Sequence, residues 1–272
     1  MKIALIDNGS LEPEAHEGLR SAAAAIGERA GVAVEAVSWR HSGGIPPGTL
    51  QGGPAWTLAP WIRSRVAGGE REFLIVPFFI SPQGAVGSAL RRDLESLRAE
   101  TGGIDFSISG GLAPPVLSGI VADRVLEVSR AKGLRSPRVV VVDHGGPSMA
   151  SGEVRDRVVR EAREALGPDA GPMAAASMES PKGPGFEFSR PLLAEALSAP
   201  GVHSGDVVVA PLFLLPGRHA GPGGDLERIC RDAEARSPGL HCHLTGLVGS
   251  HPVAAETLAS ALAEALRAAF HS

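Results

Sequence analysis

Residues 206–225 read DVVVAPLFLLPGRHAGPGGD, and the fold follows from how this stretch divides. Residues 207–212 form an apolar run too short for a helix and without alternation, which is the pattern of a strand buried on both faces. Pro211 and Pro216 turn the chain, Gly217, Arg218 and His219 enter a glycine-rich loop, and a helical pattern starts at Asp225. A strand of this kind belongs to a parallel sheet covered by helices, whose ligands bind in the crevice outside the carboxyl ends of the strands. His219 stands at such an end. A second expected strand, residues 139–143, ends the same way, in Asp143-His144-Gly145-Gly146.

Outward from these two strands, the whole chain alternates. Strands are expected over residues 2–7, 32–38, 73–79 and 104–109, with helices over 12–29, 56–66, 86–100 and 116–131. After a linker-like 133–137 the order starts again, with strands over 139–143, 173–178, 207–212 and 240–245 and helices over 151–166, 190–197, 225–235 and 253–270. The halves align in writing: IDNGSLEPEA with VDHGGPSMAS, PFFISPQGA with PLFLLPGRH, and GGLAPPVLSGIVADRV with GLVGSHPVAAETLASAL. Asn8 then matches His144, Phe79 matches Phe213 and Pro115 matches Pro252, displacements of 136, 134 and 137 residues. Near-constant displacement is the mark of an internal duplication. The expected architecture is α/β, two tandem similar lobes of 1–135 and 136–272, each a four-stranded mostly parallel sheet flanked by helices. One chain would then be a monomer with an internal pseudo-dimer, its lobes facing across a pseudo-two-fold cleft. The first lobe carries Asn8, Ala85 and Arg40 where the second has His144, His219 and Glu179, so the first reads as a degenerate copy and the second holds the candidate site.

Composition narrows the function. The net charge of −4 comes with no basic run and 4% aromatic residues, which leaves neither a phosphate-tracking surface nor a base-stacking platform, so no nucleic-acid partner is expected. No apolar segment approaches the roughly 20 residues of a membrane span, and MKIALID is too brief for a signal peptide; a soluble, cytoplasmic protein is expected. The glycines at 221–224 lack the GxGxxG order and a following lysine, so no nucleotide is expected. Cys230 and Cys242 are too few for a disulfide framework. In His241-Cys242-His243 strand alternation turns Cys242 away from both histidines, against a metal clip. His251 reads as a capping or packing residue, and His16, His203 and His271 as surface residues. Met178 and Trp39, at matching places in the two copies, read as packing residues, with flanking a flat ring as the alternative.

The string VVVAPLFLLPGRHA with an acidic position opening the next helix, the HG pair after the first strand of the same lobe, and GSHP before the last helix together resemble the class II chelatases, the sirohydrochlorin ferrochelatases and cobaltochelatases. The resemblance covers residues 138–270 well and 1–131 more faintly. It implies ATP-independent insertion of a divalent metal (Co, Fe or Ni) into sirohydrochlorin or a related tetrapyrrole, a lyase activity. By position, His144 and His219 match the family's metal-site histidines and Glu179 an acidic residue ending the lobe's second strand. The first motif departs from the family's GHGS, reading Asp143-His144-Gly145-Gly146 here.

The chemistry suits those side chains. Two neutral imidazoles and one carboxylate hold a borderline ion while leaving positions open for macrocycle nitrogens, and an imidazole that titrates near pH 6.5 also accepts a pyrrole proton. His219 is expected as ligand and base, His144 as ligand, and Glu179 as orienting group or proton acceptor. Arg218, Lys182, Arg190 and Arg40 are the candidates for the macrocycle's carboxylates, which an arginine fork fits. Two other classes compete: a non-catalytic tetrapyrrole or metal binder on the same fold, and a hydrolase with a histidine nucleophile. The last needs an arginine directly before its histidine, where Asp143 stands.

Overall fold

The computed structural model describes residues 1–46, 48–80 and 85–269. It divides into two compact units, Met1–Leu112 with Pro252–Ser272, and Ala113–His251. In the first lie β1 (Lys2–Asp7), α1 (Pro13–Ala30), β2 (Glu35–Ser38), α2 (Leu58–Ala67), β3 (Glu72–Pro77), α3 (Ala85–Glu100) and β4 (Asp105–Ile108). The second opens with α4 (Pro114–Lys132) and continues through β5 (Arg138–Gly145), α5 (Met149–Leu166), β6 (Met173–Glu179), α6 (Leu193–Ser198), β7 (Gly205–Pro211), α7 (Asp225–Arg236) and β8 (Leu240–Leu244). The last helix, α8 (Pro252–Ala269), returns to the first unit.

Each unit holds one four-stranded sheet, in the orders β2-β1-β3-β4 and β6-β5-β7-β8, and every strand pair is parallel. The two orders are the same arrangement repeated, with the first strand of each copy beside the second and third. That makes β1 and β5 inner strands, and their residues Ile3–Ile6 and Val139–Val142 are buried accordingly. One core gathers Trp61, Phe73, Ile75 and Leu94 beneath the first sheet. The other gathers Val140, Val142, Val207, Val209, Leu226 and Cys230.

The compact units are cut at different points from the lobes 1–135 and 136–272 expected from the repeat. The terminal helix of each copy packs against the first helix of the other: α4 lies on α5, and α8 lies on α1. Polar contacts fix α4 in the second unit, where Ser118 Oγ donates to Glu161 of α5 at 2.9 Å and Arg124 Nη2 donates to the carbonyl of Leu247 and the hydroxyl of Ser250. Sequence repetition marks what was copied, whereas burial decides which face covers which, and an amphipathic helix is satisfied by either partner. The linker-like stretch 133–137 therefore joins α4 to β5 within one unit, with Gly133 closing α4 in the left-handed conformation at φ +67°.

Other expectations stand or fall locally. His16, expected at the surface, is 2% exposed. Its place in the series 16, 19, 23, 26 sets it on the buried face of α1 with Leu19, Ala23 and Ile26. His203 is exposed, as expected, and His251 is buried. Cys242 turns toward the second core, while His243 binds Asp206 on the neighbouring strand at 2.8 Å. Trp39 and Met178 both pack against their cores. Residues 81–84, Pro47, Phe270, where the last helix is expected to end, His271 and the side chain of Ala85 lie outside the described residues.

Candidate metal centre

The site is built at the tips of β5, β6 and β7. The β5–β6 ladder runs on past Asp143↔Ser177 to Gly145↔Glu179, so the strands stay paired to their last residues. This close approach needs a glycine: Gly145 has φ +79°, and a Cβ there would lie 1.9 Å from the carbonyl oxygen of Glu179. The first unit repeats the arrangement, with Gly9 at φ +84° and a notional Cβ 1.8 Å from the carbonyl oxygen of Arg40. The backbone thus pairs Glu179 with Arg40, the match expected from the sequence.

From these tips His144, Glu179 and His219 converge. Each offers one ligand atom, and these atoms lie within 4.8 Å of one another. The imidazole rings of His144 and His219 meet edge to face with centroids 4.9 Å apart, and Phe213 lies beside both, at 6.5 and 6.3 Å. His219 Nε2 is 3.7 Å from Glu179 Oε1. Two ligands about 2.1 Å from one ion span at most about 4.2 Å, so small side-chain rotations close the cluster. His144 and Glu179 are exposed and free to make them, while the His219 side chain is 14% exposed and held.

What holds His219 is Asp225, the first residue of α7, whose Oδ2 is 2.8 Å from Nδ1. The Arg228 guanidinium, and after it the His219 ring, keeps the Asp225 carboxyl below the usual carboxylate range. An ionised Asp225 accepts from Nδ1–H and leaves the Nε2 lone pair facing Glu179. At His144, Nδ1 lies 3.3 Å from the Gly145 carbonyl oxygen; a carbonyl only accepts, so here too Nε2 is the free lone pair. Asp225 is the functional-site residue that sequence reading left unassigned. Its signal was present, an acidic residue six positions after His219 at a helix start, where a carboxylate is also favoured by the helix dipole.

The four candidate cations part company. Arg218 is 75% exposed and reaches the cluster's edge through Asp225, 3.6 Å away. Lys182 is exposed on the loop after Glu179. Arg190 is paired with Glu195 at the start of α6. Arg40, in the first unit, pairs with Asp93 at 3.3 Å and stacks on Trp39 at 4.2 Å.

Beneath the site Asp143 is buried, and burial raises its pKa against the hydrogen bond from Ser177 and the charge of Arg155. Its counterpart Asp7 has Oδ1 without a partner among the described residues, and burial pushes its pKa up to about 6.

Residues 138–265 match the CbiX family model. This stretch resembles a CbiX domain. It contains all three converging side chains, and it runs on into α8, which packs in the first unit. Solved structures resemble nearly the whole chain. SirB from Bacillus subtilis with Fe3+ is 14% identical with a TM-score of 0.69, the match covering 97% of this chain and 95% of that one. The structure of CbiX, described as the terminal enzyme for biosynthesis of siroheme in denitrifying bacteria, is 17% identical with a TM-score of 0.64, over 97% of this chain and 99% of that one. DR2241 from Deinococcus radiodurans, a multi-domain protein with structural similarity to chelatases, is 18% identical with a TM-score of 0.60, over 96% of this chain and 54% of that one. Among curated proteins no sequence matches. Outside the CbiX domain the chain thus shares the chelatase fold, as the repeat led one to expect. No helix among the described residues is long and apolar enough to cross a membrane.

Proposed function

We propose that the protein inserts a divalent metal, Co(II) or Fe(II), into sirohydrochlorin or a related tetrapyrrole without ATP. The observation that carries this reading is the cluster of His144, Glu179 and His219 at three adjacent strand tips of the CbiX domain. Two imidazoles and a carboxylate form an incomplete shell, loose enough to release an ion to a stronger chelator. SirB of Bacillus subtilis subspecies spizizenii, 16% identical, has been solved in complex with cobalt, which favours the same class of cargo here.

The proton traffic follows from the same atoms. Two pyrrole N–H protons must leave as the metal enters, and each ligand that lets go of the ion uncovers a lone pair. His219 Nε2 takes one proton, and the resulting imidazolium is stabilised by the ionised Asp225 on its other nitrogen. Glu179, 56% exposed at the cluster's open side, takes the other and passes it to solvent. His144 acts as ligand alone. Arg218, projecting beside Asp225, is placed to receive a carboxylate of the macrocycle, with Lys182 on the neighbouring loop as a second cation. Arg190 and Arg40 would first have to leave Glu195 and Asp93.

The test is anaerobic mixing of the protein with sirohydrochlorin and Co(II) or Fe(II), followed by the absorption change of the macrocycle. His219→Ala is expected to abolish insertion above the uncatalysed rate. A rate unchanged by that substitution refutes the site, and a wild-type protein that binds both components without accelerating insertion makes it a non-catalytic binder.

A further inference from the structure

Arg155 of α5 is 2% exposed, and nothing in the reaction above uses it. Its guanidinium nevertheless touches every segment that carries the metal-site residues of β5 and β6. Nη1 donates to Ser177 Oγ at 2.6 Å and lies 3.6 Å from Asp143 Oδ1. The Ser177 hydroxyl then donates to Asp143 Oδ1 at 2.5 Å. Nη2 donates to the carbonyl of Phe188 at 2.8 Å, in the short turn Glu187–Ser189, and Nε donates to Asp156 at 2.8 Å. The next residue of that turn, Ser189, binds the carbonyl of Gly146 at 2.9 Å, which fastens the turn to the loop after His144.

The connectivity is specific. Asp143 directly precedes His144, and Ser177 precedes Glu179 by two residues on the same face of β6. One planar fork therefore fixes the last pair of the β5–β6 ladder before the residues that converge on the ion. The first unit supplies the comparison. Its counterparts Asp7 and Ser38 keep the carboxyl and the hydroxyl, and Ser42 Oγ donates to Ser38 Oγ at 2.8 Å. The residue 136 positions before Arg155 is Leu19, fully buried. The arginine fork occurs in the unit that has the cluster and is replaced by an alkyl side chain in the unit whose matching residues are Asn8 and Arg40.

We infer that Arg155, through Asp143 and Ser177, is a positioning residue of the metal centre, setting the separation of His144 from Glu179. The inference rests on the proposed metal-binding role of those residues. Removing a group that orients a ligand costs about 10- to 100-fold in metal affinity, and that is the expected loss here.

Arg155→Met alone strands the Asp143 carboxylate, so the informative variant is Arg155→Met with Asp143→Asn, which removes both charges together. Ser177→Ala, which deletes only the hydroxyl bridge, is the second variant. Cobalt(II) titration of the purified protein, read in the visible ligand-field bands, reports affinity and coordination geometry without turnover. Both variants are expected to melt cooperatively, to bind cobalt about 10- to 100-fold more weakly, and to show altered band shape. Wild-type affinity and band shape in both overturn the role of Arg155 and leave the centre itself standing. A wild-type protein without cobalt bands, or His219→Ala with undiminished ones, overturns the centre and the inference with it.

Discussion

Gly145→Ala tests the backbone geometry on which the centre depends. An alanine Cβ at this position would lie 1.9 Å from the carbonyl oxygen of Glu179, and even the closest real contacts are near 3.0 Å. The two strand tips would have to part by about 1 Å, since a close-packed interior leaves no room for overlap. The φ of +79° adds strain for any residue with a Cβ, about 1–2 kcal/mol, and overpacking of this kind typically costs about 1–3 kcal/mol. The combined loss of about 2–5 kcal/mol corresponds to a fall of roughly 5–15 °C in the melting midpoint. Because His144 and Glu179 sit on the two parted strands, cobalt affinity should fall at least about tenfold, a site needing its ligands placed within about 0.5 Å. Gly9→Ala is the control. Its Cβ meets the carbonyl of Arg40 at 1.8 Å with φ +84°, so it should lower the midpoint similarly, and among the described residues no ligand cluster converges beside it. Thermal unfolding by circular dichroism with cobalt titration measures both quantities. Gly145→Ala with wild-type stability and wild-type cobalt affinity would refute the argument, and so would a Gly9→Ala variant that loses cobalt as severely.

Asp225→Asn should release the His219 ring from its Nδ1–H tautomer, since an amide donates as readily as it accepts; cobalt affinity is expected to drop about tenfold or more in the same titration, with the fold intact. Asp7 supplies a pH signature for the first unit. Its folded-state pKa of about 6 lies above the ordinary carboxyl value, so the fold favours the protonated form. The stability this gives is complete below about pH 4 and lost as the pH rises through about 6. Asp7→Asn should therefore raise the melting midpoint at pH 7, where the charged, buried form costs about 2–3 kcal/mol, and bring no gain at pH 4. Melting curves from pH 4 to 8 check this, a gain independent of pH counting against it.

The inner strands were legible as apolar runs. The edge strands Glu35–Ser38, Asp105–Ile108 and Leu240–Leu244 mix polar and apolar residues and were weaker signals. Helix ends were marked by proline and glycine. Pro114 opens α4 and Gly133 closes it, and the four valines of β5 admit no helix period. Parallel pairing followed from the alternation of strands and helices, and the likeness of the two sheets followed from the duplication, whereas the strand order came from the structure. Helix exchange was not legible: nothing in the apolar stripe of α8 says whether α1 or a helix of its own copy will cover it. His16 was misplaced by its residue type, although its spacing with Leu19 and Ala23 put it on the buried face. At the site, His144, Glu179 and His219 were recognisable as strand-end residues. The contacts that hold them, Asp225 to His219 and Arg155 to Ser177, join residues whose pairing depends on how helices dock, and no local pattern encodes that.

The two units separate what the fold requires from what the proposed metal site requires. Both keep a glycine with positive φ pressed against the neighbouring strand's carbonyl, and both keep a buried aspartate with a serine beside it on the next strand. These features therefore belong to the strand-tip geometry, because the first unit has them with Asn8 and Arg40 at its ends. The second unit differs in its side chains: His144, Glu179 and His219 at the tips, Asp225 behind one imidazole, and Arg155 beneath the other two. Burying a charged aspartate beside an arginine costs desolvation and gives little net stability, and burial raises the carboxyl pKa in both units. A buried ion pair under the ligand-bearing tips makes sense as a means of fixing geometry. Grafting the whole ligand set into the first unit, as Asn8→His, Arg40→Glu and Ala85→His, would consequently reproduce the ligand types without their support, and cobalt binding there should remain far weaker than in the second unit.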